Sequence, residues 1–151
     1  MRIEPADLAD PAVRGMIEFH QRDMLAVSPP GTSFALDVSG LSGPAVTLLG
    51  AWDGEHLLGI GAMKRLSTDT AELKSMRTHP DHLGKGVARA LLEALIAIAR
   101  DEGLARLSLE TGTSAEFAPA IGLYTARGFV PGDGFADYVN GPHNQCYHLA
   151  L

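Results

Sequence analysis

The residues of this chain best suited to chemistry are Leu83-Gly84-Lys85-Gly86-Val87-Ala88-Arg89, a glycine-punctuated run at the start of a helix. Beyond it Ala90, Leu91, Leu92, Leu95, Ile96 and Ile98 recur at helical spacing as far as Arg100. A glycine turn feeding a helix leaves several backbone N–H groups unpartnered and pointing the same way, which makes an anion site, for phosphate above all. The bland alternative is a turn that only joins a strand to a helix. Two more specific phosphate readings fare poorly. The loop of nucleoside triphosphatases needs Ser or Thr after its lysine, whereas Lys85 is followed by Gly86, so a nucleotide hydrolase is disfavoured. A dinucleotide fingerprint needs a small residue where Arg89 stands.

The elements around the turn must position it. Residues 72–78 (ELKSMRT) alternate polar and apolar, Leu73 against Lys74 and Met76 against Arg77, the period of a strand with one buried face. His79-Pro80-Asp81 ends that strand, since proline cannot donate to a ladder and pushes the preceding residue out of the helical region. Upstream, residues 45–52 (AVTLLGAW) and 56–65 (HLLGIGAMKR) flank an Asp53-Gly54 turn signal, predicting a three-stranded antiparallel meander whose last strand carries the glycine turn. Downstream, Asp101-Glu102-Gly103 stops the helix and residues 105–111 (ARLSLET) alternate again. A strand, helix and strand in succession form a right-handed crossover, which makes these two strands parallel neighbours.

The remaining elements frame these. Residues 1–4 read as a short first strand, and Asp10 as N-cap with Pro11 in the first turn opens a helix to about Leu25. Val13, Met16, Ile17, His20 and Met24 share one face of it; His20 there reads first as a satisfied structural histidine and only second as a functional one. Ser28-Pro29-Pro30-Gly31-Thr32-Ser33 and Gly43-Pro44 break all regular structure, so the stretch between reads either as a binding loop or lid or as a surface connection. Residues 119–127 form a helix ended by Gly128, Phe129-Val130 begins a strand, and residues 143–151 form the last one.

Composition narrows the classes. A length of 151 residues suits one domain, 1–151, with a sizeable core. Hydrophobic residues at 46% and charged residues at 20% exclude general disorder. A net charge of -6 without any basic run argues against a nucleic-acid surface, though backbone amides and a few cations can still bind an anion locally. The one cysteine, Cys146, excludes an intrachain disulfide and has no metal-ligand spacing around it, so an inert buried thiol is expected. No apolar leader and no long apolar run is present, so neither export nor a membrane span is expected and the cytoplasm is the default location.

The strand followed by Leu83-x-x-Gly86-x-Ala88 resembles the acyl-CoA signature of the GNAT acetyltransferase superfamily, written Gln/Arg-x-x-Gly-x-Gly/Ala. Leu123-Tyr124-Thr125-Ala126-Arg127-Gly128-Phe129 is similar to a second GNAT element, Leu-Tyr-x-x-x-Gly-Phe, and the order of elements is similar along nearly the whole chain. More narrowly, Leu73-Lys74-Ser75-Met76-Arg77-Thr78, Leu109-Glu110-Thr111-Gly112 and Pro119-Ala120-Ile121 look like a subgroup of small bacterial N-acetyltransferases whose substrates are generally unassigned. The implied fold is the α/β (α+β) acyl-CoA N-acyltransferase fold: a mixed, mostly antiparallel sheet of about six or seven strands, a central parallel pair and about four flanking helices. The implied activity is transfer of the acetyl group of acetyl-CoA to a primary amine of a small molecule by direct attack, with no metal. A non-catalytic module that binds or senses acyl-CoA is the alternative. Relatives are often homodimers, so the resemblance implies that form too.

The resemblance also assigns roles. Backbone groups of Met76 and Thr78 would hold the pantetheine arm like an added strand. Those of Gly84, Lys85, Gly86, Val87, Ala88 and Arg89 would hold the pyrophosphate, with Lys85 or Arg89 adding charge. Tyr124 would stand near the sulfur and protonate the departing thiolate, the competing expectation being a core tyrosine. The attacking amine must lose its proton, which asks for a carboxylate; Glu72 and Glu110 lie on adjacent strands, and either could instead be a solvated strand-end charge. Glu110 ranks first, because it ends its strand beside Thr111-Gly112, where parallel strands open onto sites. No Ser-His-Asp or Cys-His arrangement suggests a covalent intermediate. The chain departs from the family at Leu83, where Gln or Arg is usual, and at Phe117, where a CoA-contacting Asn is frequent. It departs from the subgroup again over residues 135–146, a segment that commonly shapes the acceptor pocket, so the acceptor is not carried over.

Overall fold

The computed structural model describes residues 1–151. Along the chain lie β1 (Arg2–Pro5), α1 (Pro11–Val27), β2 (Val46–Asp53), β3 (His56–Arg65), β4 (Thr70–Thr78), α2 (Val87–Asp101), β5 (Arg106–Gly112), α3 (Ala118–Arg127), β6 (Val130–Gly132) and β7 (Asn144–Ala150). The seven strands make one sheet in the order β1-β2-β3-β4-β5-β7-β6. Every neighbouring pair is antiparallel except β4 and β5, the parallel pair that the crossover through α2 requires. Three α-helices stand against the expected four or so, because Pro29, Pro30, Gly31, Gly43 and Pro44 keep the long connection after α1 free of helix. Single 3-10 turns at Pro80–His82 and Ala115–Phe117 precede α2 and α3. The β2–β3 turn falls one residue later than the sequence suggests, on Gly54 and Glu55, since Asp53 pairs with His56.

The alternation of each strand sorts the core into two layers. Leu49, Met63, Leu73, Leu107 and Leu109 face α2 and α3, where Leu91, Leu92, Leu95 and Ile96 of α2 are essentially inaccessible. Leu48, Trp52, Leu57, Ile60 and Ala62 face the opposite way and meet Val13, Met16 and Ile17 of α1. That helix starts where Asp10 Oδ1 accepts from the Ala12 N–H at 2.8 Å, capping one of the free amides. Each buried aliphatic side chain of this size contributes roughly 1.5–3 kcal/mol from water removal.

Two irregularities of β4 shape the site. A bulge sets Ser75 and Met76 opposite Gly61 alone, and Ser75 takes a left-handed φ of 54°. In addition β4 and β5 pair only over Thr70–Arg106, Ala71–Leu107 and Glu72–Ser108, then diverge while each keeps its outer neighbour. Gly59 permits the helix to approach the diverging half closely: a Cβ there would lie 2.7 Å from the Arg77 carbonyl oxygen and 2.9 Å from Val87 Cγ1. Replacing Gly59 by Ala should therefore cost roughly 1–3 kcal/mol through overpacking. Urea unfolding checks this as a lower midpoint at constant slope, and an unchanged midpoint would show that this contact does not hold α2 in place.

Candidate active site

The diverging strands open onto a cavity of about 1130 Å³, large for a small-molecule pocket. Residues 73–78 of β4 and 109–112 of β5 line it, together with the turn before α2, the end of α1 and the start of the loop after α1. Because adjacent residues of a strand point to opposite faces, the two sides of this gap present different chemistry.

At the α2 end, Gly84 and Gly86 have φ of 75° and 80°, a region that disfavours any residue with a Cβ. An added Cβ at either would have open space around it, so conformation rather than crowding asks for glycine. Gly86 is the N-cap of the fifteen-residue α2, and no side chain caps the first amides of that helix. Met76, Thr78, Gly84, Gly86, Val87, Ala88 and Arg89 all line the cavity, as the sequence suggests. Lys85 does not; it is exposed, with its ammonium 3.0 Å from His82 Nδ1, and His82 lines the cavity in its stead. An uncapped helix N-terminus beside a strand edge with no ladder partner suits an extended ligand with a diphosphate, and the residues present fit the coenzyme A part of acetyl-CoA on that chemistry.

On the face towards α1, three polar side chains close a triangle. The Tyr138 hydroxyl donates to Glu72 Oε2 at 2.6 Å, and Lys74 Nζ donates both to that oxygen at 3.0 Å and to the Tyr138 oxygen at 2.8 Å. Glu72 is only 4% exposed, so the ammonium is what makes its burial tolerable. Burial, then the hydrogen bond to Glu72, holds the Tyr138 hydroxyl protonated far above the ordinary tyrosine value. Glu110 follows on the same face of β5 as Ser108, half-buried and lining the cavity. Burial raises its pKa above the ordinary 4.5, with Glu72 adding to the rise and Asn144 and Lys74 opposing it.

Further along β4, Arg77 ties the strand to α1. Its Nε–H donates to His20 Nδ1 at 2.9 Å, its second terminal nitrogen meets Asp23 Oδ2 at 2.8 Å, and its guanidinium lies 5.4 Å from the centre of the Phe19 ring. His20 is thus a partnered histidine, as first expected, yet it also lines the cavity. Tyr124 reaches the cavity from the opposite face, out of the α2–α3 core, packed edge-on against Phe129 at 5.8 Å. Burial raises its pKa well above the ordinary 10, with the Arg77 charge acting weakly the other way. Cys146 is fully buried, and burial pushes its thiol up.

Glu72, Glu110, Tyr124 and the α2 turn apart from Lys85 all line the one cavity, together with or beside Lys74, Tyr138, Arg77 and Asp23, which the sequence does not single out. Lys74 and Arg77 were legible as polar positions of the strand, but their partners lie 64 and 57 residues away in sequence, on a loop and on α1. Phe117, at the position of the family's asparagine, packs its ring onto Gly112, where no larger residue would fit.

Residues 13–129 match the model of the acetyltransferase (GNAT) family. The chain is 46% identical over 149 residues to the uncharacterized N-acetyltransferase YedL of Escherichia coli, covering 99% of this chain and 94% of that protein. Among solved structures, it superposes with a TM-score of 0.83 on a protein of Klebsiella pneumoniae provisionally described as an acyl-CoA N-acyltransferase, at 26% identity over 99% of this chain and 97% of that one. It shares its fold with yncA of Salmonella typhimurium, solved with its cofactor acetyl-CoA, at a TM-score of 0.71 and 22% identity over 100% and 94% of the two chains. No helix is long and apolar enough to cross a membrane. With an uncapped helix and an open strand edge facing one cavity, and with these likenesses along its length, the chain belongs to the GNAT family and is an acetyl-CoA-dependent acetyltransferase.

Proposed function

We propose that this protein acetylates the primary amine of a small molecule by direct attack, with Glu110 as the general base and Tyr124 as the general acid. The observation that carries this reading is that the two side chains come from opposite faces of the sheet onto one cavity, through the gap between β4 and β5. Acetyl-CoA supplies a thioester carbonyl open to attack and a thiolate that must leave.

The chain's own residues supply the rest. Met76 and Thr78 offer backbone groups along the open edge of β4, and Gly84, Gly86, Val87, Ala88 and Arg89 present the free amides and charge for the diphosphate. Lys85 contributes only from the solvent side. An amine arrives mainly as an ammonium, which has no lone pair. Glu110, made more basic by burial, accepts its proton. Glu72 is the weaker candidate for this step: one of its oxygens already accepts from both Tyr138 and Lys74, so it orients those two groups. The Tyr124 hydroxyl has no partner in the protein and keeps its proton at all ordinary pH values, as an acid for the thiolate requires.

Transfer without an acyl-enzyme is favoured because no activated nucleophile faces the cavity. Ser108 meets His148 Nδ1 at 2.7 Å, but it is 1% exposed, and the other ring nitrogen is engaged by the Asp133 carbonyl at 2.8 Å.

Replacing Tyr124 by Phe should lower kcat by about a hundredfold or more while CoA affinity changes by less than about twofold. Unchanged kcat in a steady-state assay of free thiol would remove the acid role. The pH dependence of kcat/KM tests the base. Activity needs Glu110 ionised, so the acidic limb should rise with a pKa above the ordinary carboxylate value, and Glu110→Gln should abolish that limb together with most of the rate. A limb that survives in Glu110→Gln assigns the base elsewhere, Glu72 first. Stability runs in the opposite sense: a carboxyl whose folded pKa is raised favours the folded state below its unfolded pKa, and that contribution fades as pH rises through the folded value.

A further inference from the structure

The proposed acetyl transfer to an amine leaves His20 without a task, although its placement is unusual. It sits on α1 at 7% exposure and yet lines the cavity. Arg77 Nε–H donates to Nδ1, and a guanidinium nitrogen cannot accept, so Nδ1 must offer its lone pair and the ring proton resides on Nε2. Nε2–H has no partner among the protein's hydrogen bonds. It is not sealed either, since the Ser75 hydroxyl is the sole buried polar side-chain atom that is both enclosed and unpartnered. The ring thus keeps an accessible donor on a residue that lines the cavity.

We propose that His20 is a specificity-determining residue that presents Nε2–H to the acceptor as a fixed hydrogen-bond donor, reading a carbonyl or carboxylate oxygen close to the amine that is acetylated. This rests on the amine-acetylating reading above and adds the class of amine. The class follows from satisfaction of polar groups. When an acceptor fills this part of the cavity it displaces the water that serves Nε2–H, and a donor left bare in a dry wall is costly. The acceptor's nitrogen cannot serve, because as an ammonium it only donates and as a free amine its lone pair attacks. A second atom with a lone pair must do so. The Arg77 bond to Nδ1 fixes the ring, so Nε2–H keeps one direction, and a carbonyl or carboxylate oxygen supplies the lone pair that such a donor needs. Burial first, then the Arg77 charge, holds the histidine down to about 4 from an ordinary 6.5, with Asp23 opposing and Lys74 adding a little, so the donor stays uncharged through the working range of pH. The compounds described are amino acids and their amides, in preference to simple alkylamines.

Matched pairs of acceptors test this, each with and without the carbonyl, such as phenylalaninamide against phenethylamine and glycinamide against ethylamine. The readout is the ratio of kcat/KM within a pair, compared between the protein and its His20→Phe and His20→Gln variants, so that differences in amine basicity cancel. In His20→Phe the ratio should fall by about tenfold or more, because an unpaired polar group is what penalises the simple amine. His20→Gln, whose amide N–H falls near the place of Nε2, should keep most of the preference. CoA affinity should change by less than about twofold in both, as befits a residue outside the phosphate site. An equal fall in rate for both members of a pair, or an unchanged ratio in His20→Phe, overturns the proposal while leaving amine acetylation intact. No acetyl-CoA consumption with any amine overturns the parent reading and this one with it. Should His20→Phe fail to fold, nitrogen-detected spectra of the unaltered protein with CoA decide: the His20 Nε2–H resonance should shift with the amide and not with its matched amine, and shifts equal for both overturn the inference.

Discussion

The parting of β4 from β5 just after Glu72 and Ser108 is the constraint on which the site depends. A parallel pair that stayed in register would bury the inner edge of both strands and leave no route between the faces of the sheet. Separated, the two strands expose backbone groups that lack ladder partners, and such groups must find water or ligand. The gap also joins compartments that a continuous sheet keeps apart. Tyr124 belongs to the layer of α2 and α3, Glu110 and Glu72 lie on the opposite face of the sheet, and through the gap all three line one cavity. The bulge at Ser75 and the splay thus do what no side-chain substitution on a regular sheet could.

Holding strands apart is costly, and the cost is met by specific ties. A left-handed Ser75 stores roughly 1–3 kcal/mol of backbone strain, and its hydroxyl is enclosed without a partner. Against this, the free half of β4 is anchored on one face by Lys74, which reaches Tyr138 and Glu72, and by Arg77, which reaches His20 and Asp23. On the other face Met76 fills the space beside Gly61 and Leu95, where a Cβ on the glycine would lie 2.7 Å from the sulfur. Each tie leads to a different element: the loop before β7, helix α1, and the core under α2. The free half of β4 is therefore not a frayed end but a strand tied from three directions.

These ties explain what could be read from the chain without its structure. The strand, the glycine turn and α2 are contiguous, and each carries its own local signal: alternation, a proline stop, glycines at positive φ, an apolar helical stripe. The parallel pairing followed from the handedness of the crossover, and Glu110 and Tyr124 followed from their places at a strand end and in a family motif. Lys74 and Arg77 showed only as polar strand positions. Their meaning depends on Tyr138 and on His20 with Asp23, and nothing local marks those as partners. The divergence itself left no trace in composition, since residues 73–78 alternate as any half-buried strand does. The side of the cavity towards α1 is built largely from such long-range meetings, which is why the cofactor is legible in the sequence and the acceptor is not.

Charge distribution points the same way. A chain with net charge -6 binds an anionic cofactor because the sites that matter are local. Around the cavity the cations nearest the sheet are neutralised in place, Lys74 by Glu72 and Arg77 by Asp23, so they hold structure and add little net field. Arg89, at the uncapped start of α2, lines the cavity with no such counter-charge. Glu110 also lines the cavity and has no ion-pair partner within salt-bridge distance. The cavity lining thus holds an unpaired cation, Arg89, and an unpaired carboxylate, Glu110. That arrangement comes from pairing two of its cations and leaving a third free, and net charge by itself carries no sign of it.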